Sequence, residues 1–208
     1  MNSQTRLRGS LRQTRRWTTL LRTARSRARL VAIVLLILLK LLGAISIGAQ
    51  TSPPTEYQVK AAFIYNFAKF VEWPPNAFTD EKSPITLCVY GKDPFGSALD
   101  DAIRAKAIGN RNFVIRRTKT LQDLNACQIV FVASSESQQL REILAGLSGS
   151  NALIVGESPH FAEQVGHIQF LMEDNRIRFA INVDSVNRAR FHMSSKLLAL
   201  AQIVHDTK

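Results

Sequence analysis

Apolar residues over 59–74 (VKAAFIYNFAKFVEWP) recur at helical spacing: Val59, Phe63, Phe67 and Phe70 fall four, four and three residues apart. Ile64 and Val71 widen this stripe, while Gln58, Tyr65, Lys69 and Glu72 lie roughly opposite. The pattern predicts an amphipathic helix that needs an apolar partner. Pro74 and Pro75 stop it, because proline lacks the N–H and disfavours helical backbone just before it. Residues 85–91 (ITLCVYG), 112–118 (NFVIRRT), 128–133 (QIVFVA) and 152–156 (ALIVG) read as strands, most of them apolar enough to be buried on both faces. Phe95, Leu99 and Ile103 predict a helix between the first two. Leu140, Ile143, Leu144 and Leu147 predict another, with Ser134 and Ser135 offering N-cap oxygens and Gly149 near its end.

The pattern then changes. Residues 167–172 and 176–183 read as a hairpin around Glu173-Asp174-Asn175. Arg176, Arg178, Ala180 and Asn182 alternate with Ile177, Phe179, Ile181 and Val183, which predicts a sheet edge with one wetter face. Val186, Ala189, Met193, Leu197, Leu200 and Val204 predict one closing helix from about Asp184. Strands alternating with helices imply right-handed crossovers. The expected fold class is an α/β three-layer sandwich: a mostly parallel central sheet, a C-terminal antiparallel hairpin, and helices on both faces.

The formal charge of +11 over 208 residues invites a nucleic-acid reading, but its location opposes that. Nine arginines lie between Arg6 and Arg29, Lys40 makes ten basic residues, and no acid precedes Glu56. Removing those ten from 27 leaves 17 basic residues against 16 acids, so the folded part is nearly neutral and no nucleic-acid partner is expected. The basic stretch leads into a ten-residue apolar run, 30–39, which Lys40 interrupts and residues 41–47 resume. Basic, apolar, small is the order of a secretory signal, with cleavage after Ser46 or Ala49. The alternative is an uncleaved anchor of about 18 residues, at the short end of what spans a bilayer. Either way the domain is exported, and the membrane is met only through the N-terminal segment. The layout is therefore 1–49 leader with signal or anchor, 50–55 linker (QTSPPT), and 56–208 α/β domain.

Cys88 lies inside one buried strand and Cys127 just before another. Two cysteines in an exported chain favour one disulfide; two buried free thiols are the alternative. A bridge would close a loop stabilising the fold by roughly 3–4.5 kcal/mol on the loop-entropy model. Gly91, Asp93, Gly96 and Ser97 follow a strand and open a helix, where backbone amides can hold an anion, so they form a candidate ligand loop. The loop lacks the lysine-Ser/Thr of a P-loop and the three-glycine dinucleotide pattern. His160, His167, His192 and His205 make no close helical pair, and no catalytic residues, metal or cofactor are expected. Trp73 suits either an interface anchor or a cap on the core, and Arg188, Arg190 and Lys196 suit either a basic partner surface or a solvated helix face.

Several motifs recur in a known order: residues 60–74 with Asn66 and Phe70-Val71-Glu72-Trp73-Pro74, then Leu87-Cys88-Val89 through Gly91, then Cys127-Gln128-Ile129-Val130-Phe131. Gly166, Phe179-Ala180-Ile181-Asn182 and Ser194-Ser195-Lys196-Leu197-Leu198 complete them. Over about residues 56–204 the chain resembles the periplasmic YfiR family. The resemblance implies a small exported α/β protein, not an enzyme, in the periplasm of a Gram-negative bacterium. Its implied partner is the periplasmic region of an inner-membrane diguanylate cyclase, or another membrane receptor, with a homodimer possible. Binding would hold the cyclase inactive, lowering cyclic-di-GMP and biofilm formation. A periplasmic small-molecule sensor using the Gly91–Gly96 loop is the alternative. The resemblance also favours the disulfide reading, since similar members carry a cysteine pair at matching places; the second pair of some members is absent.

Overall fold

The computed structural model describes residues 35–36, 53–164 and 166–206. The chain divides into two units, Met1–Ser52 and Pro53–Lys208. In the first, Leu35 and Leu36 are helical and exposed; the expected signal or anchor and its cleavage site otherwise lie outside the described residues. Among the described residues no helix is long and apolar enough to cross a membrane.

The second unit opens with helix α1, Glu56–Phe70. Thr55 caps it: its hydroxyl accepts from the Gln58 amide, and the Gln58 side chain accepts from the Thr55 amide at 2.8 Å. This reciprocal box satisfies two donors that a helix start leaves open. The helix ends at Phe70, before the expected prolines. Val71 is already extended, and strand β1, Val71–Glu72, pairs antiparallel with β9, His192–Met193. The buried face carries Lys60, Ala61, Ile64, Phe67 and Ala68, whereas Val59, Phe63 and Phe70 are only half-buried. The buried stripe is thus rotated by about one position from the expected one and takes in a lysine.

After β1 come β2 (Ile85–Tyr90), α2 (Ser97–Ile103), β3 (Ala107–Ile108), β4 (Arg111–Thr118), a 3₁₀ turn (Leu121–Ala126) and β5 (Ile129–Val132). A second 3₁₀ turn (Ser134–Gln139) leads into α3 (Leu140–Gly146), with no side-chain cap from the serines. Then follow β6 (Leu153–Gly156), β7 (Ile168–Glu173), β8 (Arg176–Asn182), α4 (Val183–Arg188), β9, α5 (Ser195–Leu198) and β10 (Gln202–Val204). The main sheet runs β10-β8-β7-β6-β5-β2-β4-β3. Its pairings are parallel except β7–β8 and β3–β4. The expected α/β class holds, with the antiparallel hairpin near the C-terminus.

Each face of the sheet buries its own core. Leu87, Val89, Ile129, Phe131, Leu153 and Val155 pack beneath α1 and α2. The alternate positions Cys88, Tyr90, Val130, Val132 and Ile154 pack against Leu140, Ile143 and Leu144 of α3. Fully buried central strands on both faces explain their continuous apolar runs. The hairpin turns through Asp174 and Asn175, both at positive φ (48° and 58°), with Glu173 opposite Arg176. That is a two-residue turn of the kind matched to strand twist.

Two expectations change near the C-terminus. β8 is not an edge: β10 pairs alongside it, and Ala180 and Asn182 are buried instead of wet. The closing segment is not one helix. The Phe191 amide donates to the Val186 carbonyl and the Arg190 amide to Asn187, with Arg190 left-handed at φ 59°. This pair of bonds around a left-handed residue ends α4. The chain then pairs with β1, restarts at a Ser194 cap, and finishes as β10. Pairing of open sheet edges overrides a helical period here, because backbone groups at an edge gain partners that another helix would not supply.

Candidate functional site

The chain steps from β2 outward to β4, then back across β2 to β5, so a topological switch lies at the C-terminal ends of β2 and β5. Ligands of open α/β sheets favour such crevices. The candidate ligand loop sits there, and the chain's own oxygens occupy three of its backbone donors. The Gly91 amide donates to the Thr118 carbonyl, the Lys92 amide to Ser135 Oγ at 3.0 Å, and the Phe95 amide to Asp93 Oδ1 at 2.8 Å. Gly91 has φ 99°, and a Cβ there would meet Glu136 at 2.6 Å. Arg117 clamps the outside of the loop, donating to Asp93 Oδ2 at 2.7 Å, Asp100 Oδ2 at 2.5 Å and the Gly96 carbonyl at 3.0 Å. The Arg117 hydrogen bond holds the Asp100 carboxyl below the usual range. Gly96 caps α2 at Ser97, with no side-chain bond.

Beside this loop, Lys60 and Glu157 form a buried ion pair that sequence reasoning missed. Lys60 is 5% exposed, and its Nζ lies 2.6 Å from Glu157 Oε2 and 2.5 Å from Glu56. The ammonium also lies 4.6 Å from the Tyr57 ring centroid. Tyr57 OH donates to Glu157 Oε2 at 3.3 Å, and the Ser134 amide donates to Oε1 at 3.2 Å. Burial alone depresses the Lys60 pKa, but its bonds to Glu157 and Glu56 outweigh that and hold the group above its ordinary value. Burial, with the Glu157 charge, raises Tyr57. The i,i+4 spacing of Glu56 and Lys60 was readable; the long-range partner was not.

Of the candidate partner-surface residues, Trp73 is half-buried, edge-on to Phe78 at 5.6 Å and to Phe191 at 5.7 Å. Phe191 adjoins Arg190, which is exposed and pairs with no carboxylate among the described residues. Lys196 is exposed on α5, whose Ser194 cap donates its amide to the Phe70 carbonyl at 3.0 Å. The structure therefore gathers Trp73, Arg190 and Lys196 around the β1–β9 ribbon. Arg188 is instead tied to Asp206, which that bond holds below the usual carboxylate range.

Cys88 and Cys127 form a disulfide, with Cα atoms 5.9 Å apart. Its sulfurs lie in the core under α3, because β2 and β5 are parallel neighbours. Among the described residues no three His, Cys, Asp or Glu side chains gather to hold a metal.

No curated protein matches this sequence. Among solved structures, the chain is similar to an ABC domain in complex with L-Trp from Streptococcus pneumonia: 8% identity, TM-score 0.49, over 71% of this chain and 60% of that one. It is also similar to a conserved domain protein from Vibrio cholerae O1 biovar El Tor strain N16961, at 10% identity and TM-score 0.46, over 73% and 61%. The chain thus spans about three fifths of the length of those structures, and at such identities the likenesses do not bear on function. The sequence itself carries the assignment. Residues 57–202, from α1 to the start of β10, match the model of one family that fits a periplasmic, non-catalytic regulator, and the chain belongs to that YfiR/HmsC-like family (DUF4154).

Proposed function

We propose that this protein restrains a membrane-bound diguanylate cyclase by binding its periplasmic region. The family match over residues 57–202 carries this reading. The basic and apolar leader supports export, and the disulfide fits an oxidising compartment. Trp73, Arg190 and Lys196, gathered around the β1–β9 ribbon, are the proposed contact surface: an aromatic ring on a firm backing with cations beside it is a common form of interface anchor. The partner would present acidic and apolar groups to it. The test pairs a two-hybrid or pull-down against candidate membrane cyclases with cyclic-di-GMP measurement in a deletion strain. Binding that weakens at least tenfold in R190A/K196A, with raised cyclic-di-GMP on deletion, supports the reading. No binding together with unchanged cyclic-di-GMP overturns it.

A further inference from the structure

A cleft of about 470 Å³ opens at the end of the sheet opposite the switch point, and it does not depend on the partner reading. Thr86 at the start of β2, Gln128 just before β5 and Asn151 shortly before β6 bring the N-terminal ends of three parallel strands to it. The loop between β1 and β2 supplies the facing wall through Asn76, Phe78 and Ser83. The two walls are bonded to each other. Gln128 Nε2 donates to the Ala77 carbonyl at 3.1 Å, and the Thr86 amide donates to Gln128 Oε1 at 2.9 Å. Asn151 Nδ2 donates to the Asn76 carbonyl at 3.2 Å. The Phe78 ring is held by the Arg111 guanidinium, 3.7 Å from its centroid, and by Trp73 at 5.6 Å. A cleft fixed in this way spares a ligand the cost of ordering its walls.

Among the described residues no charged side chain lines this cleft. An ion would leave its water there without a counter-charge, a cost that a neutral ligand does not meet. Amides and hydroxyls dominate instead. Asn76 and Asn125 are exposed in the lining, and each side chain offers two N–H donors and one carbonyl oxygen. The hydroxyls of Ser83 and Ser150 can both donate and accept. Sugar hydroxyls also do both, so a ring of adjacent hydroxyls matches this lining where an apolar ligand would strand it. The C–H face of a sugar ring is apolar and suits the half-buried Phe78. The volume lies within the range of small-molecule sites. We propose that this cleft binds a neutral saccharide. Its hydroxyls exchange hydrogen bonds with the Asn76 and Asn125 amides, and its C–H face lies on Phe78.

The test titrates the purified, disulfide-intact protein with N-acetylglucosamine and with its β-1,4-linked trimer, and follows the side-chain amide resonances of Asn76 and Asn125 by NMR. Glycerol at matched hydroxyl concentration controls for general solvation. Saturable shifts with either sugar, absent with glycerol, support the site. Equal affinity for the two points to a free sugar, and tighter binding of the trimer to a glycan chain. No saturable shift with either sugar, shifts equal to those with glycerol, or saturable shifts confined to another part of the protein overturn the proposal. The Asn151 bond uses only the backbone carbonyl of Asn76, so Asn76→Ala/Asn125→Ala leaves the walls joined. That variant should keep the wild-type melting temperature and weaken the sugar about tenfold, the loss of two hydrogen bonds. Unchanged affinity in it would also overturn the proposal.

Discussion

At the scale of single residues, two buried titratable groups set the sharpest expectations. Glu157 accepts from Lys60, Tyr57 and the Ser134 amide inside the fold. Replacing it by glutamine leaves a buried ammonium held only by the half-exposed Glu56, at a cost of about 3 kcal/mol. Chemical denaturation of Glu157→Gln and Lys60→Met, singly and together, would show this as a double variant less damaged than the singles predict. A cost for Glu157→Gln below about 1 kcal/mol would contradict the pair's importance. His167 sets a pH window. Its folded pKa, about 3, lies below the unfolded value of about 6.5. The folded form therefore refuses a proton that the unfolded chain takes, so its contribution is whole above pH 6.5 and is lost as pH falls toward 3. Urea midpoints should drop more between pH 7.5 and 5 in the wild type than in His167→Gln. Equal slopes would refute the assignment.

At the scale of elements, the end of α4 decides the C-terminal third. Arg190 holds φ 59°, a conformation glycine adopts without a Cβ penalty. Arg190→Gly should leave the fold intact and raise stability by about 0.5–1 kcal/mol, read as a higher melting temperature. A loss of more than 1 kcal/mol would mean that the guanidinium holds the turn. Gly156 and Gly166 enclose Phe161 from two sides: a Cβ at either would lie 2.2 or 2.3 Å from its ring. The link between β6 and β7 is therefore packed around a buried aromatic plug. Gly156→Ala should cost about 1–3 kcal/mol through overpacking, measured as a shift in denaturation midpoint. A neutral result would show that Phe161 moves freely.

At the scale of the whole molecule, the disulfide ties β2 to the entry of β5 across 39 positions of sequence. Its stabilising effect acts on the unfolded ensemble, and the loop-entropy model assigns about 4 kcal/mol. Cys88→Ser/Cys127→Ser should lower stability by about 2–4 kcal/mol and leave the strand order unchanged. Alkylation in denaturant should modify no thiols without reductant and two with it; two without reductant would exclude the bridge in the protein as made.

Much of this molecule was legible in the chain. Continuous apolar runs marked the central strands, because a strand buried on both faces has no polar alternation to show. Asp174-Asn175 marked the hairpin, because both residues tolerate positive φ. The threonine-to-glutamine capping box at Thr55–Gln58 was there to be read. Other features needed the folded whole. The period over 184–204 is helical in form, yet β9 and β10 are settled by strand edges contributed from residues 71–72 and 176–182. Lys60 meets Glu157 only in the fold, where the end of β6 delivers that carboxylate to it. His167 gained its partner, the Ile154 amide that donates to its Nδ1, only where β6 and β7 met. Periodicity states which side chains favour burial; which partner they meet there depends on contacts between residues far apart in sequence, and only the three-dimensional arrangement supplies those.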